Sequence, residues 1–212
     1  MDILKIYQRY NIPPNLQQHM IRVAAFATLI VNSWKGQNVL DKGLIVTSCL
    51  LHDLGNIIKF DFENFPELLG PEIKNIEFWK KVKKDMIKKY GKDEDIATVR
   101  MVKGLRVSKK ILFIVENWGF KNFTKIAKSD NWSWKIAVYS DHRISPQGVV
   151  TLKENLENKQ KRYKLSRPTA SHISDKAKDL YKSAMEIESE IAKNVSLDLQ
   201  KINTDELDKF LK

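Results

Sequence analysis

The hydrophobic positions along this chain recur at three- and four-residue intervals, and no segment alternates apolar and polar residues as a half-buried strand does. A helix is predicted over residues 15–34, where the positions after His19 are apolar on nearly every side. Such a helix belongs at the centre of a core. The pattern as a whole predicts an all-α fold.

The other helices are predicted from periodicity, capping residues and the breaks between them. Asp41 has the position of an N-cap for an apolar helix that ends at a His-Asp pair, and Gly91 ends an amphipathic helix over residues 72–90. Residues 60–70, aromatic, acidic and interrupted by proline, are interpreted as a loop with a helical turn. The remaining helices are predicted at about residues 2–10, 94–103, 108–117, 122–128, 132–144, 149–163 and 171–194.

The length of 212 residues suits one domain with a helical extension. We predict a domain over residues 1–167 and a C-terminal helical extension over residues 168–212 that packs on the same core. The basic stretch KQKRYKLSR at residues 159–167, closed by Pro168, is interpreted as the linker between them.

Composition narrows the class of protein. A hydrophobic share of 42% suffices for a buried core, and eight glycines and six prolines are few for an all-β fold. The single cysteine, Cys49, lies in an apolar run and cannot form an internal disulfide, which favours a reducing compartment. The charged, amphipathic N-terminus is unlike a signal peptide, and the apolar runs are shorter than the roughly 18–20 residues of a membrane span. We therefore expect a cytoplasmic protein without membrane contact.

The formal net charge of +11 favours anionic partners such as nucleotides, RNA, DNA or an acidic membrane surface, without selecting among them. The lysine-rich residues 80–92, with Arg100, Arg106, Lys109 and Lys110 nearby, form a candidate nucleic-acid surface. They lack the interleaved aromatic residues of a stacking platform, and such a run is more typical of a solvated helix face.

Candidate chemistry centres on His52 and Asp53, where an apolar helix ends in two adjacent side chains that can bind a metal. An isolated His-Asp pair arises often by chance. However, His19 lies early on the central helix and Asp141 near the end of a later one. A polar group on a buried helix costs several kcal/mol unless it has a partner, and one shared metal ion would satisfy all four.

The order H … HD … D, over about residues 15–163, resembles the HD superfamily of metal-dependent phosphohydrolases, with distant similarity to its bacterial 5′-deoxynucleotidase-like branch. The resemblance implies an all-α bundle whose central helices hold the metal through His19, His52, Asp53 and Asp141. Members with two metals carry extra histidines between the pair and the last aspartate. This chain has none there, which favours one divalent ion, whose identity among Mn²⁺, Co²⁺, Fe²⁺, Ni²⁺, Zn²⁺ and Mg²⁺ is open.

The 5′-deoxynucleotidase-like branch also suggests roles for residues after the pair. Asn56 stands where that branch has a glutamate that helps activate water, and Asp61 matches the spacing of an aspartate that contacts the sugar. Asp53, Asn56 and Glu94 are the candidate catalytic residues. Asp61 and Glu94 are alternatively ordinary acids of a loop and of a helix start.

Three basic residues are candidates for binding a substrate phosphate. Arg22 lies three residues after His19 and so shares its helix face, although a structural ion pair is an equal alternative. Lys59 and Arg143 follow the His-Asp pair and Asp141, and for Lys59 the alternative is a solvated surface lysine. With Asp61, these residues complete the predicted substrate site.

These observations predict a phosphohydrolase that uses one divalent metal and its bound water to hydrolyse a nucleotide or another small phosphorylated substrate. The alternative is an HD-fold module of weak activity that binds nucleotide or nucleic acid through its basic surface, which the replacement by Asn56 motivates. A structural helical protein with a coincidental His-Asp pair is a third hypothesis. A homodimer formed through residues beyond Pro168 is left open.

Overall fold

A computed structural model describes residues 2–166 and 175–211, and this part of the chain is all-α apart from one short hairpin. The predicted fold class is confirmed. Three 3₁₀ segments, Asn56–Lys59, Pro66–Asn75 and Phe120–Asn122, connect the α-helices, and strands β1 (Ile144–Ser145) and β2 (Gly148–Val149) pair antiparallel. The α-helices are α1 (Ile3–Arg9), α2 (Pro14–Asn32), α3 (Lys42–Leu51), α4 (Ile76–Tyr90), α5 (Glu94–Gly104), α6 (Lys109–Glu116), α7 (Phe123–Ala127), α8 (Trp132–Asp141), α9 (Leu152–Ser166), α10 (Asp175–Lys193) and α11 (Thr204–Phe210).

Helix α2 is central, as its nearly continuous apolar surface predicts. Its first residue, Pro14, lacks the backbone N–H that a first helical turn leaves unpaired, and the helix packs against α3 and α8. Helix α3 begins after Asp41, whose side chain accepts a hydrogen bond from the Leu44 N–H at 2.9 Å. Both helix starts are therefore where the sequence predicts them.

The buried apolar residues form two clusters, and the His-Asp pair lies where they meet. One cluster joins the second half of α2 to α8 and α10, and the other joins α1 and the start of α2 to α4 and α5. On α3, Cys49 belongs to the first cluster and Leu51 to the second. His52 follows directly, so it is buried at the junction of two packed regions.

Two helix ends differ from the prediction. Helix α4 begins at Ile76 rather than at residue 72, because the preceding 3₁₀ segment is kinked at Gly70, where φ is +56°. Helix α8 ends at Asp141 rather than at residue 144, because the chain turns there into the hairpin of β1 and β2. Strands of two residues each are too short to show an alternating pattern in the sequence.

The C-terminal region also differs from the prediction. Helix α9, predicted to end at residue 163, continues through Ser166, so residues 159–166 of the predicted linker are helical, while Arg167 and Pro168 lie outside the described residues. Helix α10 is described from Asp175, and residues 171–174 of its predicted start lie outside the described range. Helix α11 was not predicted. The division of the chain after residue 167 stays a prediction.

The lysine-rich face of α4 is exposed, but acidic neighbours neutralise part of its charge. Lys80 pairs with Glu77 and Lys81 with Asp85, each at 2.7 Å. Exposed pairs of this kind contribute little to stability.

None of the helices in the described residues is long and apolar enough to cross a membrane.

Candidate metal centre

Helices α2, α3 and α8 bring three of the predicted metal ligands together. His19 lies in the second turn of α2, His52 caps the C-terminus of α3, and Asp141 is the last residue of α8. One ligand atom from each of these three side chains lies within 4.8 Å of the other two. Because α2 packs against both α3 and α8, the central position of α2 produces this convergence.

The distances define a compact set of donors. Asp141 Oδ1 lies 3.1 Å from His19 Nε2 and 3.4 Å from His52 Nε2. Asp53 Oδ2 lies 3.8 Å from His19 Nε2 and 3.6 Å from His52 Nε2. Asp53 thus lies near both imidazoles, although the group of mutually close ligand atoms consists of His19, His52 and Asp141. His142 Nδ1 donates to the Val138 carbonyl at 3.0 Å and lies 3.6 Å from Asp141 Oδ2, and His172 lies outside the described residues.

The hydrogen bonding of His52 tests whether a cation fits. Its Nδ1–H donates to the Cys49 carbonyl at 2.7 Å, so in the neutral ring Nε2 carries the lone pair. Nε2 is buried, forms no hydrogen bond with any residue in the described ranges, and faces the carboxylate oxygens of Asp53 and Asp141. Either a proton on Nε2 or a cation between the side chains would balance the two negative charges. Two imidazoles and two carboxylates are suitable ligands for a divalent transition metal, so the residues fit the predicted ion.

The carboxylates and imidazoles of the site shift one another's pKa values. Burial lowers the pKa of His52, but the carboxylates of Asp53 and Asp141 outweigh burial and raise the pKa to about 9. Burial pushes the pKa of Asp141 upward, but His52 and His19 hold it well below its usual range. At neutral pH His52 therefore holds a proton beside an ionised Asp141. A bound cation would take the place of that proton.

Asn56 supports the candidate ligand Asp53. Its Nδ2 donates to Asp53 Oδ2 at 2.6 Å, and its side chain is buried in the 3₁₀ turn that follows the His-Asp pair. Unlike a glutamate at this position, the Asn56 amide carries no charge and cannot accept a proton. Its contact identifies Asn56 as a residue that orients Asp53.

Close packing at Gly55 places the start of α5 beside the His-Asp turn. A Cβ atom at Gly55 would lie 2.7 Å from the Glu94 carbonyl oxygen and 2.8 Å from the Thr98 backbone nitrogen, so this approach requires glycine. The Gly55 N–H donates to Thr98 Oγ1 at 2.9 Å. Glu94, which is half-buried, therefore begins its helix next to the candidate ligands.

Lys59 and Asp61 lie on the surface side of the same segment. Lys59 is exposed. Asp61 organises its own turn, since its carboxylate accepts hydrogen bonds from the Asn64 side chain at 2.7 Å and the Asn64 N–H at 3.1 Å. These bonds hold the pKa of Asp61 below its usual value.

The two arginines predicted to bind substrate have structural partners instead. Arg22 forms a bidentate pair with Asp208 of α11, with Nε–Oδ1 and Nη2–Oδ2 distances of 3.2 and 3.0 Å. This is the structural alternative that the sequence left open. Arg143 is wholly buried and donates to the carbonyls of Val150 and Leu199 at 2.6 and 2.8 Å. The prediction for Arg143 is wrong, because all three nitrogens of its buried guanidinium already donate to protein acceptors.

Sequence reasoning missed Trp118, which contacts two of the candidate ligands. Its Nε1–H donates to Asp141 Oδ2 at 3.2 Å, and its ring stacks on His52 with 4.4 Å between centroids. Nothing in the sequence separates Trp118 from the other four tryptophans. Its role depends on where the chain runs after α6.

Comparison with known families agrees with this geometry. The family model described as HD domain matches residues 16–195, well over half of the chain, and its range includes every candidate ligand. Searches of curated proteins and of solved structures found no match. The match and the clustered His-Asp residues lead to one assignment: the chain belongs to the HD domain family.

Proposed function

We propose that this protein is a phosphohydrolase that uses a single divalent metal to hydrolyse a nucleotide or a similar small phosphorylated substrate. HD domains are generally metal-dependent hydrolases, and a cluster of two histidines and an aspartate can hold one ion. The observation that carries the proposal is the buried His52 Nε2, which faces the carboxylate oxygens of Asp53 and Asp141 at 3.6 and 3.4 Å. The similarity to the 5′-deoxynucleotidase-like branch suggests the nucleotide.

The proposed ligands are His19, His52, Asp53 and Asp141. A divalent ion bound to them would lower the pKa of a water molecule and offset negative charge on the phosphoryl oxygens. The carbonyl of Cys49 orients the His52 ring, and Asn56 orients Asp53. These contacts fix the donors before substrate arrives, as a preorganised site requires.

Glu94 is the proposed general base, since the residue is half-buried and its backbone carbonyl packs against Gly55, two residues after Asp53. It would accept a proton from the attacking water, a role that Asn56 cannot take because an amide is not basic. Lys59 is proposed to contact the phosphate and Asp61 the sugar. The exposure of Lys59 and the ionised carboxylate of Asp61 are compatible with these contacts.

The side chains at the candidate centre leave it open on one side. The side chain of His52 is 1% exposed, whereas those of His19, Asp53 and Asp141 are 19–22% exposed. His52 thus forms the closed end of the site. Such a gradient allows a small anionic substrate to approach the three more exposed donors.

The test is phosphate release from a panel of nucleoside monophosphates and the nitrophenyl mono- and diesters of phosphate. With added Mn²⁺ or Co²⁺ we expect at least one substrate to be hydrolysed about tenfold or more above the rate in excess chelator, because the ion supplies several kcal/mol of charge stabilisation. The panel also separates monoesters from diesters. Rates that chelator leaves unchanged across the whole panel would contradict the proposal.

The alternative function, binding of nucleic acid by a weakly active module, rests on the basic surface. The ion pairs of Lys80 and Lys81 on α4 reduce the net charge of that surface, so the structure offers no specific support for it. It predicts salt-dependent RNA or DNA binding without metal-dependent phosphate release. The panel therefore distinguishes the two functions.

A further inference from the structure

Trp118 touches two of the proposed metal ligands at once, and those ligands come from different helices. Its indole N–H donates to Asp141 Oδ2 at 3.2 Å. Its ring lies nearly parallel to the His52 imidazole, at an interplanar angle of 18° and a centroid distance of 4.4 Å. Asp141 ends α8 and His52 caps α3, so one side chain spans the space between two helix ends.

The backbone around Trp118 is itself held in place. The Asn122 amide donates to the carbonyls of Asn117 and Trp118 at 2.9 and 3.2 Å, and the Trp134 indole N–H donates to the Asn117 carbonyl at 3.3 Å. At Gly119 the chain turns with φ of +99°, a conformation that favours glycine. Trp118 is only 9% exposed. It is therefore a fixed part of the core rather than a mobile ring.

The hydrogen bond from the indole gives the two carboxylate oxygens of Asp141 different partners. Oδ2 accepts the indole N–H, while Oδ1 lies 3.1 Å from His19 Nε2 and 3.4 Å from His52 Nε2. Rotation of the carboxylate would break the indole hydrogen bond, so Oδ1 stays directed at the imidazoles. The stacked ring likewise restricts the His52 imidazole from one face, while Cys49 fixes its Nδ1 edge.

We propose that Trp118 is a positioning residue of the metal centre, which directs Asp141 Oδ1 and the His52 ring toward a divalent cation. This inference rests on the proposed metal site. Hydrogen-bond partners of metal ligands typically change affinity by about 10–100-fold when they are removed. Trp118 acts through its N–H on one ligand and through its ring face on the other.

The test replaces Trp118 by Phe, which keeps a ring beside His52 and removes the N–H. Titration calorimetry with Mn²⁺ on the full chain is expected to show affinity about tenfold or more below that of the wild type. The matched control is Trp79→Phe, because Trp79 is also buried and donates its indole N–H to a carboxylate, Glu72 Oε2, at 3.2 Å. The control is expected to bind Mn²⁺ within about twofold of the wild type, since Trp79 contacts none of the proposed ligands.

Affinity of Trp118→Phe within twofold of the wild type would overturn the inference, and so would an equal loss in Trp79→Phe. A wild-type chain that binds no Mn²⁺ would instead overturn the proposed metal site itself. Failure of the metal site is thereby distinguished from failure of the role proposed for Trp118. If circular dichroism shows that Trp118→Phe is unfolded, the wild-type chain is examined by ¹H–¹⁵N NMR with Zn²⁺. The Trp118 indole resonance is then expected to shift while that of Trp79 does not, and an unshifted Trp118 resonance would overturn the inference.

Discussion

Replacing Asp53 by Asn is expected to abolish metal-dependent phosphate release, with kcat lower by about 10³-fold or more. The amide keeps the size of the side chain but removes one of the two negative charges that face the imidazoles of His19 and His52. A loss of roughly 4 kcal/mol of charge stabilisation corresponds to that factor. The assay measures initial rates on the best substrate of the panel at saturating Mn²⁺.

The matched control is Asp85→Asn, an exposed aspartate on α4 that pairs with Lys81. Its kcat is expected to equal that of the wild type. Circular dichroism checks both folds, and the Asp53 side chain is 21% exposed, so its replacement does not open a cavity in the core. If Asp53→Asn turned over substrate as fast as Asp85→Asn, Asp53 would not belong to the catalytic site.

Replacing Arg143 by Ala is expected to lower the free energy of unfolding by about 3–5 kcal/mol, the usual cost of breaking a buried charged network. The guanidinium donates to Tyr139 Oη at 2.7 Å as well as to the carbonyls of Val150 and Leu199. Tyr139 in turn donates to Glu188 at 2.9 Å. Alanine would leave these buried acceptors without their donor and a cavity beside Phe26. Urea unfolding followed by circular dichroism measures the change.

Arg22→Ala provides the comparison, because Arg22 forms its ion pair with an Asp208 side chain that is 41% exposed. The expected cost there is about 1 kcal/mol or less. The contrast between the two arginines is the informative result. Equal destabilisation by both replacements would contradict the structural role assigned to Arg143.

The all-α fold and the four candidate ligands could be predicted because each depends on local signals. The helix period and the N-cap Asp41 define α2 and α3, and both appear in a single stretch of sequence. The proposed ligands His19, His52, Asp53 and Asp141 follow from an ordered motif, and the HD domain match supports membership of the family. These features can be recognised in the sequence without knowing which helices pack against each other.

The features that escaped prediction depend on partners far along the chain. Arg22 and Arg143 both follow candidate ligands closely, yet each has a partner beyond residue 180: Asp208 for the first and Leu199, besides nearer partners, for the second. Their spacing from His19 and Asp141 could not reveal those contacts. Trp118 likewise reaches Asp141 only because α6 ends beside α8. The role of a polar or aromatic side chain here is decided by tertiary packing.

The most direct test of a single metal site is calorimetric titration of the wild-type chain with Mn²⁺. The structure predicts saturation at one ion per chain, with release of about one proton at pH 7, because His52 with its pKa of about 9 must lose its proton to bind the ion. Protons compete below that pKa, so affinity is expected to rise about tenfold per pH unit between pH 6 and 8. Absence of saturable binding, or equal binding by Asp53→Asn, would contradict the metal centre.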